Sequence, residues 1–82
     1  MLERIREIIK IHARLNSDPA TLSENADLYE AGMTSHSSVN VMLALEDAFD
    51  VEFPDHMLTR GVFGSMGAIE SALVELNAQT PA

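Results

Sequence analysis

Residues 35 to 50 read SHSSVNVMLALEDAFD, and their spacing predicts a helix. At about 100° per residue, Ser38, Met42, Leu45 and Phe49 fall in one narrow stripe, which is expected to face the core. A second stripe runs beside it through Ser35, Val39, Leu43, Glu46 and Asp50. A small core needs only one stripe. The second begins at a serine and mixes apolar residues with acids, which suits a docking surface. Scattered apolar residues are common on protein surfaces, so the stripe alone does not establish one.

The helix start is crowded with hydroxyls. Thr34, Ser35, Ser37 and Ser38 fall within five residues, with His36 among them. Hydroxyls at a helix start accept hydrogen bonds from backbone N–H groups that have no intrahelical partner, at about 1 kcal/mol per good cap. One cap is enough, and capping is the plain reading of the cluster. The functional reading is covalent modification. A phosphate at a helix N-terminus meets free N–H donors and the positive end of the helix dipole. Ser35 is the best placed of the four for this, at the head of the second stripe and just after a loop containing Gly32.

Outward from this helix, the periodicity predicts three more. Residues 2 to 15 place Leu2, Ile5, Ile8, Ile9, His12 and Leu15 on one face. Asn16 to Pro19 end that helix, and a long connection over residues 16 to 34 follows. A structureless loop of that length is suspicious in a small domain unless it serves a function. Leu22, Leu28, Tyr29 and Met33 are expected to pin it to the core, with Gly32 taking a backbone conformation other residues avoid. Asp55 is expected to cap a short helix over residues 56 to 60, followed by a loop from Arg60 to Gly64. Ser65 is expected to cap a last helix whose buried stripe is Met66, Ile69, Leu73 and Leu76, with Gly67 weakening its first turn. Residues 77 to 82 should fray. No strand pattern appears. The expectation is an all-α, small four-helix bundle, one helix being short, in a single domain over residues 1 to 82.

Composition narrows the function. The chain of 82 residues carries a net charge of −8, and the basic residues are segregated. Arg4, Arg6, Lys10 and Arg14 precede residue 16. Beyond it Arg60 alone stands against eleven acids, a net −10. Such a surface repels nucleic acid and suits partners with basic docking faces. There is no cysteine, hence no disulfide, no cysteine nucleophile and no cysteine-based metal site. No apolar run approaches the ~18 residues of a membrane span, and MLERIREIIK has no signal-peptide pattern. A soluble cytoplasmic protein is expected. His12, His36 and His56 match no metal-ligand spacing. No triad forms around Ser35, no calcium-loop pattern exists, and a domain this short has little room for an active-site cleft. A protein without catalysis of its own is expected.

Residues 27 to 55, DLYEAGMTSHSSVNVMLALEDAFDVEFPD, resemble the acyl and peptidyl carrier proteins. That family's pattern is D-L-x-x-x-G-x-D-S-L, an amphipathic helix, then L-E-x-x-F-x-x-x-[IF]-P. Asp27, Leu28, Gly32, Ser35, Val39, Leu45, Glu46, Phe49, Phe53, Pro54 and Asp55 match it, and the helix lengths agree over almost the whole chain. The resemblance implies that Ser35 accepts 4′-phosphopantetheine from coenzyme A through a phosphopantetheinyl transferase. The arm then carries a thioester-bound substrate to a downstream acceptor enzyme, with the carrier itself a monomer. The departures are informative. Thr34 stands where the family has Asp, His36 stands where it has Leu, and the following turn lacks the usual acids. A partner is therefore expected to read Thr34, His36, Val39, Leu43 and Glu46 rather than an acidic ridge. The T-S-H-S-S variant is similar to stand-alone bacterial carriers that amino acid:[carrier protein] ligases load with an amino acid. Those ligases resemble the catalytic core of class II aminoacyl-tRNA synthetases. Two alternatives stay open: a carrier of acyl chains in specialised lipid or polyketide synthesis, and a helical interaction module whose serines are caps or phosphorylation sites.

Overall fold

The computed structural model describes residues 2–16 and 18–79, the side chains of residues 77–79 excepted. Four α-helices follow one another: α1 (Leu2–His12), α2 (Ser35–Phe49), α3 (Arg60–Phe63) and α4 (Met66–Gln79). Short 3₁₀ turns at Pro19–Thr21 and Asp55–Met57 punctuate the connections. The described residues contain no strand. Helix α1 packs against both α2 and α4, and α3 packs against α4. Ile5, Ile9, Leu28, Val41, Leu45, Met66, Ile69 and Leu73 are fully buried between them.

Helix α1 buries Ile5, Ile8 and Ile9 as its periodicity predicts but stops at His12, short of Leu15. The reason is a sharp exit. Ala13 N–H closes the last turn on Ile9 O at 2.9 Å, and Arg14 takes a left-handed φ of 56°. A left-handed residue after the last turn is a common helix stop. Asn16 N–H then donates to Ala31 O at 2.8 Å.

The long connection is tied down along its length. Arg6 Nη1 donates to the carbonyls of Pro19 and Leu22. Asp18 Oδ1 accepts from Ala20 N–H at 2.9 Å and caps the first 3₁₀ turn. Leu28 and Met33 are buried, and Leu22 and Tyr29 pack at the edge of the core. The backbone also crosses to the far end of the chain. Leu28 N–H donates to Gly64 O at 2.7 Å, and Gly67 N–H donates to Glu24 O at 2.8 Å. A Cβ at Gly67 would lie 3.2 Å from Glu24 O. The glycine that weakens α4 intrinsically is therefore where the loop's backbone meets that helix.

Helix α2 differs from its expected register. Its buried residues are Ser37, Val41 and Leu45, while Ser38, Met42 and Phe49 are only half-buried. Ala44 and Ala48 join the core edge. The stripe is shifted back by about one residue from Ser38, Met42, Leu45 and Phe49. Ala44 and Ala48 line an open cleft between α1 and α2 together with Ile8 and His12. The buried face of α2 is therefore not the one with the largest apolar groups.

The segment after α2 also departs from expectation. The region expected as a helix over 56 to 60 forms only the 3₁₀ turn Asp55–Met57, and its preceding residue, Pro54, makes no side-chain cap. The expected loop from Arg60 to Gly64 is instead α3, capped by Thr59 Oγ1, which accepts from Val62 N–H at 3.3 Å. Phe53 and Phe63 meet edge to face, with centroids 5.2 Å apart. Helix α4 matches its prediction. Ser65 Oγ accepts from Ala68 N–H at 3.1 Å, and Met66, Ile69, Leu73 and Leu76 are buried together with Ala72. Its backbone stays helical to Gln79, into the stretch expected to fray, while residues 80–82 lie outside the described residues.

Candidate functional site

The loop that leads into α2 is built by its own sequence. Asp27 Oδ1 accepts from the N–H groups of Tyr29, at 2.9 Å, and Glu30, at 3.3 Å. This turns the chain. Met33 N–H then returns to Leu28 O at 3.0 Å. Gly32 has φ 118°, and a Cβ there would come within 2.9 Å of Asn16 Nδ2. Conformation and space both demand glycine at this position. Leu28 and Met33, buried on either side, fix where α2 begins.

At that start the four hydroxyls divide their roles. Thr34 is the N-cap, and its Oγ1 accepts from Ser37 N–H at 3.0 Å. Ser37 Oγ accepts from Thr34 N–H at 2.8 Å. The two close a reciprocal capping box, which satisfies two otherwise orphaned donors. Ser37 is 3% exposed and occupies a core position because its polar atoms are satisfied there. Ser38 Oγ donates to Ser35 O at 2.8 Å. Three of the hydroxyls are thus bound to the backbone. Ser35, the first residue of α2, is exposed, and its Oγ has no hydrogen-bond partner among the described residues.

Two clefts lie at the start of α2, and Ser35 lines the first of them. One, of about 420 Å³, runs between α2 and α3 and is lined by Ser35, Val39 and Met42 on one wall and Leu58, Arg60 and Phe63 on the other. The second, of about 210 Å³, lies on the opposite side and includes Arg14, Thr34, His36 and Asn40. Val39 and Leu43, expected on the outward stripe, are 49% and 53% exposed, and His36 is exposed as well. Glu46 does not share that freedom. It is half-buried, and its Oε2 accepts from Phe53 N–H at 2.8 Å. Its carboxylate joins α2 to the following segment.

Sequence reasoning missed Arg60. Its guanidinium carbon sits 4.7 Å from the centre of the Tyr29 ring, and Nη2 lies 3.8 Å from Asp27 Oδ2. The available signal was its isolation as a lone base in an acidic region.

The donor set at the start of α2 fits a phosphate ester. One hydroxyl is exposed and uncommitted, the N–H groups of the first turn precede any intrahelical acceptor, and an open cleft runs away from the oxygen. The comparisons with known proteins agree. The chain matches the family model of the phosphopantetheine attachment site over residues 2–69, and it belongs to that family, whose members carry a covalent phosphopantetheine group. It is 46% identical, over 84% of its own length and 83% of the relative's, to an aminoacyl carrier protein of Agrobacterium fabrum. Among solved structures it resembles an Agrobacterium tumefaciens carrier protein crystallised with an engineered Bradyrhizobium japonicum glycine:[carrier protein] ligase and AMP. That match has a TM-score of 0.87 and 44% identity, covering 90% of this chain and 99% of the other. It also resembles the glycylated carrier protein bound to the Bradyrhizobium japonicum ligase, with a TM-score of 0.74 and 30% identity, covering 87% and 95% of the two chains. Among the described residues, no helix is long and apolar enough to cross a membrane.

Proposed function

We propose that this protein is an aminoacyl carrier whose prosthetic arm is attached to Ser35. The observation that carries the assignment is the division of hydroxyls at the start of α2. Thr34, Ser37 and Ser38 are held by backbone hydrogen bonds, and the exposed Ser35 Oγ is left over. In attachment, Ser35 Oγ bonds to the pantetheine-bearing phosphorus of coenzyme A. The pyrophosphate linkage breaks, adenosine 3′,5′-bisphosphate leaves, and the hydroxyl proton passes to a base of the phosphopantetheinyl transferase. The protein side of the site holds the oxygen at a helix start, where the dipole favours the new negative charge. Once attached, the arm supplies a thiol that carries the substrate as a thioester.

The cargo in this reading is an amino acid, loaded by an ATP-dependent amino acid:[carrier protein] ligase. The support is the similarity to an aminoacyl carrier protein and to carriers seen with glycine:[carrier protein] ligases. The ligase reads the face bearing Thr34, His36, Val39 and Leu43. The carrier performs no chemistry alone. It works as a monomer in the cytoplasm, where coenzyme A, ATP and amino acids are all at hand, and passes its cargo to a downstream acceptor enzyme.

Intact mass after incubation with coenzyme A and a broad-specificity transferase tests the attachment, with Ser35→Ala alongside. The expected result is a gain of one phosphopantetheine on the wild type alone. A gain on the variant moves the site to another side chain. The loaded protein is then offered ATP, a ligase and amino acids. An aminoacyl adduct is expected, and a carrier that accepts only fatty acyl groups overturns the cargo.

A further inference from the structure

The α2–α3 cleft has an uneven chemistry. Val39, Met42, Leu58 and Phe63 make most of its walls apolar, and one cation, Arg60, stands on the wall facing Ser35. Arg60 is the sole basic residue after position 15, so no other base from the acidic part of the chain competes for this place. Arg14 lines the second cleft, on the other side of the helix start.

Arg60 is loosely held. The nearest oxygen of Asp27 is 3.8 Å away, beyond hydrogen-bond distance, and the two side chains are 69% and 42% exposed. Asp27 already uses its other oxygen to build the turn through Tyr29 and Glu30. The guanidinium carbon also stands over the face of Tyr29, 4.7 Å from the ring centre. Stacking on a ring satisfies none of the five N–H donors of an arginine. The side chain is therefore positioned by Tyr29 with its donors still available.

Given attachment at Ser35, we infer that Arg60 is the counter-ion of the phosphodiester. A phosphate ester on Ser35 brings a full negative charge to the opposite wall of this cleft, and a guanidinium pairs with two phosphate oxygens at once. Arg60 exchanges its weak contact with Asp27 for the phosphate while its plane stays on Tyr29. The exchange links the modified helix start to α3 and directs the arm along the apolar walls of Val39, Met42 and Leu58.

The test uses full-length protein converted by a transferase and coenzyme A, with intact mass confirming attachment first. Absence of any mass gain rejects the carrier reading itself and is read before the arginine is considered. The phosphorus NMR resonance is then compared between holo wild type, Arg60→Lys and Arg60→Gln, and the Arg60 Nε–H signal is followed from apo to holo. The expected results are a shift of the Arg60 Nε–H signal on attachment and a displaced phosphorus resonance in Arg60→Gln. The displacement should be smaller in Arg60→Lys, and the difference from wild type should shrink as salt is raised. Arg60 is exposed, so both variants are expected to fold, and the apo spectra report whether they do. An unchanged Arg60 signal together with identical phosphorus resonances in wild type and Arg60→Gln overturns the proposal.

Discussion

Thr34 and Ser37 hold each other's backbone: Ser37 N–H reaches Thr34 Oγ1 at 3.0 Å, and Thr34 N–H reaches Ser37 Oγ at 2.8 Å. Each hydroxyl accepts from the other residue's backbone, and the two hydroxyls also bond to each other, Thr34 Oγ1 to Ser37 Oγ at 3.2 Å, which couples the caps. Removing either by Thr34→Ala or Ser37→Ala should cost about 1–2 kcal/mol. The double variant should lose less than the sum, since the box is a coupled pair. Denaturant unfolding of the four proteins in a cycle measures this. Additive losses would show two independent caps.

Ser35→Ala should behave in the opposite way. Its Oγ makes no hydrogen bond among the described residues, and alanine is the better helix former. Stability should stay within about 0.5 kcal/mol of wild type, while attachment is lost. A marked fall in the unfolding midpoint would mean that Ser35 supports the fold.

Glu46 tests the reading of α2 as a structural member. Glu46→Ala removes the acceptor of Phe53 N–H and should destabilise by about 1–2 kcal/mol. Glu46→Gln keeps a side-chain carbonyl acceptor and should lose less. Thermal melts of both decide it. Unchanged melting with slower loading by a ligase would return Glu46 to the partner face.

Leu43 and Leu45 lie two residues apart and should respond differently. Leu45 is fully buried, so Leu45→Ala leaves a cavity and should cost about 2–5 kcal/mol. Leu43 is exposed, and Leu43→Ala should shift stability by less than about 0.5 kcal/mol. Its effect is expected on ligase-catalysed aminoacylation, as a raised KM. Equal destabilisation by the two variants would place Leu43 in the core.

Gly32→Ala should destabilise by more than about 1 kcal/mol, because φ of 118° suits glycine and the added Cβ meets Asn16. The amide signals of Ser35 to Ser38 should shift along with the melt, since this turn sets where α2 starts. An unaffected melting temperature would show that the loop relaxes around the methyl group.

How far the sequence revealed this protein depended on the kind of signal. Helix α4 was legible because a serine cap and large apolar residues at helical spacing agree. The register of α2 was not, since periodicity gives weight to Met42 and Phe49 while the buried face runs through Val41, Leu45 and a satisfied serine. Helix α3 is only four residues long, too short for any period, and its cap Thr59 lies in what reads as a loop. The hydroxyl cluster at the site was visible. Which hydroxyls capped was not, because the box closes through Ser37 instead of the Glu or Gln that usually signals one. Arg60 could be noticed only as an isolated charge, since its approach to Tyr29 and Asp27 spans about thirty residues of chain and depends on tertiary structure.

The two backbone bonds from Glu24 and Leu28 to Gly67 and Gly64 also set an order of events during synthesis. They join segments about forty residues apart, and contacts of that separation form late. Until the C-terminal helix has emerged and docked, the connection before α2 lacks these anchors, and the turn that precedes Ser35 is held by its own bonds and by Asn16 alone. A nascent or truncated chain ending before α4 should therefore be a poor transferase substrate, so that the arm is added mainly to carriers whose translation is complete.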